Sequence, residues 1–203
     1  MNPTGVPVRL GAVGPVLLRV GSGVAALILV AGLAGGALVD PLVPVWRAVF
    51  EALAGEFRVL DLAIDGDGAH RMLRVRVTLR EIVLLGQRVL YPDPRGVASA
   101  ATAVGHALHI PAAAVLVGLA WPGRGRATLA LRTTVALLLA APLVLLDLPL
   151  VLAGHLWQIL VDHLAPGTPS PLIAGQAFLT HGGRWLAGTL AGIAAVRLIP
   201  GSR

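Results

Sequence analysis

ALLLAAPLVLLDLPLVLAGHLWQIL, residues 136–160, decides the fold class: it holds a single acid, Asp147, no arginine, and two prolines, Pro142 and Pro149. At about 1.5 Å per residue such a run is longer than a hydrocarbon core of about 30 Å requires. A helix here either tilts and overshoots or breaks at Asp147 to Pro149, with a short interfacial helix after the break.

Three further runs share this texture. Val20 to Val39 has no charged side chain, and Gly96 to Gly123 has no Asp, Glu or Arg and closes on Trp121-Pro122-Gly123. The last, Leu172 to Ile199, is interrupted by His181 and Arg184. Across 203 residues the chain is 56% hydrophobic and 13% charged, with a mean hydropathy of +0.83. An ordinary soluble domain is about 25% charged, so the composition argues against a water-borne or disordered domain. The expected fold is a mainly α membrane protein: four transmembrane helices with a small extracytoplasmic antiparallel β meander between helices 1 and 2.

Arginine placement orients that fold. The segment before the first run, the loop between the second and third, and the C-terminus carry Arg9 and Arg19, Arg124, Arg126 and Arg132, and Arg197 and Arg203, without an acid. Residues 40–95 hold eight Arg against eight Asp or Glu. Positive charge collects in short cytoplasmic loops, which puts both termini in the cytoplasm of a bacterial inner membrane. The implied order is a tail at 1–19, helix 1 at 20–39, an outer segment at 40–96, helix 2 at 97–121, an arginine loop at 122–132, helix 3 at 133–153, an outer loop or interfacial helix at 154–171, and helix 4 at 172–199. Helix 1 exceeds the usual 7 to 15 apolar residues of a secretory signal, which favours its retention over cleavage. The net charge of +6 follows from this topology, and no basic patch interleaved with aromatics points to nucleic acid.

The outer segment opens with an amphipathic stretch, Pro41 to Gly55, in which Trp46, Val49, Phe50 and Leu53 share one helical face and Arg47 and Glu51 pair elsewhere. After Gly55 the period becomes two. Leu60, Leu62 and Ile64 form one alternating strand, and Leu73, Val75, Val77 and Leu79 another, joined through Asp65-Gly66-Asp67-Gly68. A third strand is expected between Glu81 and Tyr91, interrupted at Gly86-Gln87. Asp61, Asp65 and Asp67 resemble part of a calcium loop, but position twelve is Met72 where a bidentate Glu is needed, so a hairpin turn is the better reading.

Several side chains are candidates for function. Arg74, Arg76 and Arg80 share a strand face, either solvated beside local acids or a docking surface for an acidic peptide or lipid headgroups. His106, His109, Asp147, His181 and Arg184 fall at similar depth in three apolar runs. Ionisable groups in hydrocarbon are costly unless they face the bundle and find partners, so they are expected to converge on one internal polar cluster with Asp147 and Arg184 as the charge pair. The opposing reading starts the fourth helix near Trp185 and leaves His181 and Arg184 in water. Gly32 with Gly36, and Gly188 with Gly192, have the spacing of close helix contacts. Cysteine and lysine are absent, which removes thiolate metal sites, cysteine nucleophiles and Schiff-base chemistry. No catalytic residue, metal site or cofactor is expected.

The layout of one charge-free run, an outer β segment and three further runs around an arginine-rich loop resembles the small exosortase-associated membrane proteins, those beside exosortase H in particular. The stretch from Gly105 to Arg132, GHALHIPAAAVLVGLAWPGRGRATLALR, looks like that family's Leu-x-x-Pro step, its Pro-Gly helix end and its clustered arginines. The resemblance implies an inner-membrane accessory of a protein-sorting system, with lipid and another integral membrane protein, an exosortase, as partners. The transpeptidase itself needs a cysteine nucleophile, which this chain lacks. Two other functions compete: an ion- or proton-handling subunit using the His/Asp/Arg cluster, and an intramembrane hydrolase built on Ser99, Thr102 and His106, which has no orienting carboxylate nearby in sequence.

Overall fold

The computed structural model describes residues 13–66, 70–121 and 125–199. Helix α1 (Val13–Val39) runs through a 3₁₀ turn (Asp40–Leu42) into α2 (Val43–Leu53). Strands β1 (Phe57–Asp65), β2 (Met72–Leu79), β3 (Val83–Leu85), β4 (Arg88–Leu90) and β5 (Ala98–Ala103) follow. A second 3₁₀ turn (Val104–Leu108) then leads to α3 (His109–Ala120), α4 (Arg126–Leu164), α5 (Pro171–Phe178), a π-type turn (Leu179–Gly183) and α6 (Arg184–Leu198).

The expectation of four transmembrane helices is overturned. Among the described residues, one helix, α4, is long and apolar enough to cross a membrane. The second run opens as strand β5, and after the 3₁₀ turn the 12 residues of α3 remain, about 18 Å of helix. The fourth is divided where His181 and Gly182 leave helical geometry, Gly182 at φ 108, into helices of 8 and 15 residues. In the first, the described apolar stretch is Leu17–Leu27. The third continues without a break at Asp147 to Pro149, as a helix of 39 residues with both prolines inside it.

A small antiparallel sheet is present, but its third strand is not the expected one. The sheet order is β1-β2-β5, and residues 83–90 form a separate β3-β4 hairpin turning at Gly86, φ 59. β5 is Ala-Ser-Ala-Ala-Thr-Ala, paired from Met72↔Ala103 to Val77↔Ala98. Its lack of charge is as compatible with a buried strand as with a helix, and pairing to β2 outweighs the helical preference of alanine. In β2 the expected Leu73, Val75 and Val77 are buried while Arg74 and Arg76 are exposed. In β1 the expected face shifts: register slips between Val59 and Asp61, so Leu60 bulges outward and Phe57, Val59 and Leu62 face inward. Gly66, φ 87, opens the hairpin, and residues 67–69 lie outside the described residues.

The second half of α4 is the hub. Leu148, Leu152, Ala153 and Leu156 pack with the inner sheet face and with Trp46 and Phe50 of α2 in one apolar core. Val49 and Leu53 are half-buried on the same face of α2, and the Arg47–Glu51 pair, at 3.0 Å, is on its exposed side. The first half of α4 packs with α3 and α6 around a second core of different make-up: Ile110, Ala114, Ala136, Ala140, Ala191 and Ala195. Leu139 and Leu143 pack at its margin, while Leu137, Leu138, Leu186 and Leu190 are exposed.

Candidate functional site

α6 begins at Arg184, and its first turn lies against α4 at Asp147. Arg184 Nε donates to both carboxylate oxygens of Asp147, each at 2.8 Å. Residue exposure is 4% for Arg184 and 1% for Asp147, so each charge depends on the other for its compensation. Arg184 Nη2 is buried with no hydrogen-bond partner, which leaves that nitrogen's two N–H donors unspent.

Two histidines border the pair. His106, in the 3₁₀ turn, and His109, opening α3, have ring centroids 5.5 Å apart, and His109 stacks on Trp185 at 5.2 Å. His109 is within electrostatic reach of Arg184 and Asp147. His106 Nδ1 lies 3.4 Å from Thr102 Oγ1 at the end of β5. Burial holds the His106 imidazole below its usual range, and the positive charge of Arg184 and the neighbouring His109 act in the same direction. Both rings are half-buried and connect the buried pair toward the surface.

His181 does not join the cluster. It is exposed, and its Nδ1 lies 2.7 Å from the carbonyl of Ala177, one turn back on its own helix. The π-type turn rotates it away from the face that carries Arg184. His155, absent from the sequence-level candidates, lies on α4 two turns beyond Asp147 and within reach of the Arg184 charge. Its i+8 spacing from Asp147 was the available signal.

The arginine face divides. Arg74 Nε lies 3.2 Å from Asp65 Oδ2, and Arg76 is directly across the strands from Asp61. Arg80 instead lines a groove of about 780 Å³ along β1 together with Arg47, Arg58 and Glu51. The glycine spacing Gly188-x-x-x-Gly192 faces α3: a methyl group on Gly188 would meet the Ile110 carbonyl, and one on Gly192 would come within 2.7 Å of the Ala114 carbonyl. The packing of Gly32 and Gly36 lies outside the described residues.

Among the described residues no three His, Asp or Glu side chains gather as a metal site. Thr102 has an imidazole neighbour in His106, and Asp147 is committed to Arg184. The arrangement acts as a clamp tying α4 to α6, with a half-exposed histidine pair at its edge. Comparison with protein-family models, with curated proteins and with solved structures finds no match to this chain.

Proposed function

We propose that this chain is a membrane-bound, non-enzymatic accessory protein, which lodges the first half of α4 in lipid and presents its sheet layer to a partner protein. The observation that carries this reading is the inverted distribution of side chains around the first half of α4. Alanines make up most of the buried helix contacts there, with Ile110 among them and Leu139 and Leu143 at the margin, while other leucines occupy the outside, with Leu138 66% and Leu190 57% exposed. In water that arrangement forfeits about 25 cal/mol for every Å² of apolar surface left uncovered. In lipid, outward leucine is matched to its surroundings, and close contacts between small residues supply the association. The first half of the 39-residue α4, about 30 Å of helix, provides the span, and the sheet layer around its second half forms a water-facing cap.

The partner side of the reading rests on the groove along β1, where Arg47, Arg58 and Arg80 outnumber Glu51. That charge fits an acidic segment of another protein. The resemblance of the stretch from Gly105 to Arg132 makes an exosortase the first partner to test.

Cell fractionation followed by an alkaline carbonate wash tests the membrane half: retention in the pellet supports it, and release into the supernatant sinks it. Co-purification with a co-expressed exosortase in mild detergent tests the partner half. Recovery of the chain alone would remove that assignment.

A further inference from the structure

A cavity of about 310 Å³ at the start of α4 is lined by Arg19 of α1 and by Gly125, Arg126, Leu129 and Arg132. Three arginines from two helices meet there. Arg132 is 2% exposed, and its Nε donates to the carbonyl of Ile199 at 3.0 Å, so the end of α6 holds its guanidinium in place. Arg19 and Arg126 are exposed and take part in none of the ion pairs found among the described residues. Residues 122–146 contain no Asp or Glu.

Like charges gathered around one concavity repel and raise the local positive potential, which an anion relieves. α4 adds to that potential. Its N-cap is Gly125, φ 105, with no side-chain cap, so the positive end of the helix dipole opens at the same place. Guanidinium forks match the oxygens of a phosphate group, two at a time. The volume is about ten times the roughly 30 Å³ share of one water, which admits a phosphate with its first ester substituent.

We propose that this cavity binds a phosphate group, with Arg132 as the fixed contact and Arg19 and Arg126 closing from the exposed side. The group is either the headgroup of an anionic phospholipid or a soluble phosphate. The assignment is independent of the membrane reading above, because the soluble form requires no bilayer.

The test uses the full chain in nonionic detergent, observed by native mass spectrometry. Three probes are added separately: inorganic phosphate, phosphatidylglycerol and phosphatidylcholine. One equivalent of phosphatidylglycerol or of inorganic phosphate is expected, and which of the two binds identifies the source. The double variant Arg19→Gln/Arg126→Gln, changed only at exposed positions, should keep its thermal midpoint and lose about tenfold or more in affinity. Absence of binding by both anionic probes would overturn the proposal. So would phosphatidylcholine binding as well as phosphatidylglycerol, or a double variant that binds like the parent chain.

Discussion

Arg184 and Asp147 are 37 positions apart in the chain, yet one guanidinium nitrogen reaches both carboxylate oxygens at 2.8 Å. The contact joins the first turn of α6 to the middle of α4, at the boundary between the alanine-lined core and the leucine-rich one. Removing one partner strands the other charge in a buried place. Arg184→Leu and Asp147→Asn are each expected to lower stability by about 3–5 kcal/mol, measured as a fall in thermal midpoint in detergent. The double variant Asp147→Leu/Arg184→Met removes both charges and should recover most of that loss. Single variants that melt with the parent chain would show that the pair carries no structural burden.

The pair was legible because a lone acid in one apolar run and an arginine near the middle of another have few ways to be satisfied. Arg47 with Glu51, and the alternation of Leu73, Val75 and Val77, were legible because they depend on neighbours a few residues away. The misread elements depend on distant ones. Ala98–Ala103 is a strand only because β2 offers it a partner. Leu60 turns outward because a bulge resets the alternation of β1 against β2. His181 leaves the cluster because Gly182, at φ 108, breaks the helix in front of Arg184. Uncharged length was the evidence for four spans, and length without charge does not distinguish a helix from a strand followed by a shorter helix.

Gly188 and Gly118 predict opposite responses to the same added methyl group. At Gly188 the methyl would strike the Ile110 carbonyl and come within 2.7 Å of Ala113 Cβ, so α3 and α6 would have to separate. Gly188→Ala should cost about 1–3 kcal/mol through overpacking. At Gly118, in the interior of α3, the methyl meets nothing within 4 Å. There Gly118→Ala should raise stability by up to about 1 kcal/mol through helix propensity. Paired thermal melts decide it, and a destabilised Gly118→Ala beside a neutral Gly188→Ala would contradict the packing described for α3 and α6.

Gly182 makes a third prediction, on the turn between α5 and α6. Its φ of 108 lies in a region that side chains rarely adopt, although space is open around it. Gly182→Ala should therefore cost about 1–3 kcal/mol from backbone conformation alone. The change should also loosen the placement of Arg184 two residues on, read as faster amide exchange across 184–188. A variant with unchanged stability and exchange would mean the turn tolerates an ordinary helical path.

His106 contributes to the response to acid. Its folded imidazole titrates below the usual range, first because it is half-buried, then because Arg184 from α6 and His109 from α3 oppose a further positive charge. The unfolded chain therefore binds a proton at higher pH than the folded one does, and stability rises with pH across that interval. The contribution is complete above the ordinary imidazole range and is lost as pH falls through the lowered folded value. Thermal midpoints measured from pH 8 to pH 5 should decline on the acid side, and His106→Gln, which cannot take up the proton, should make the decline shallower. A His106→Gln profile as steep as that of the parent chain would assign the acid sensitivity to another group.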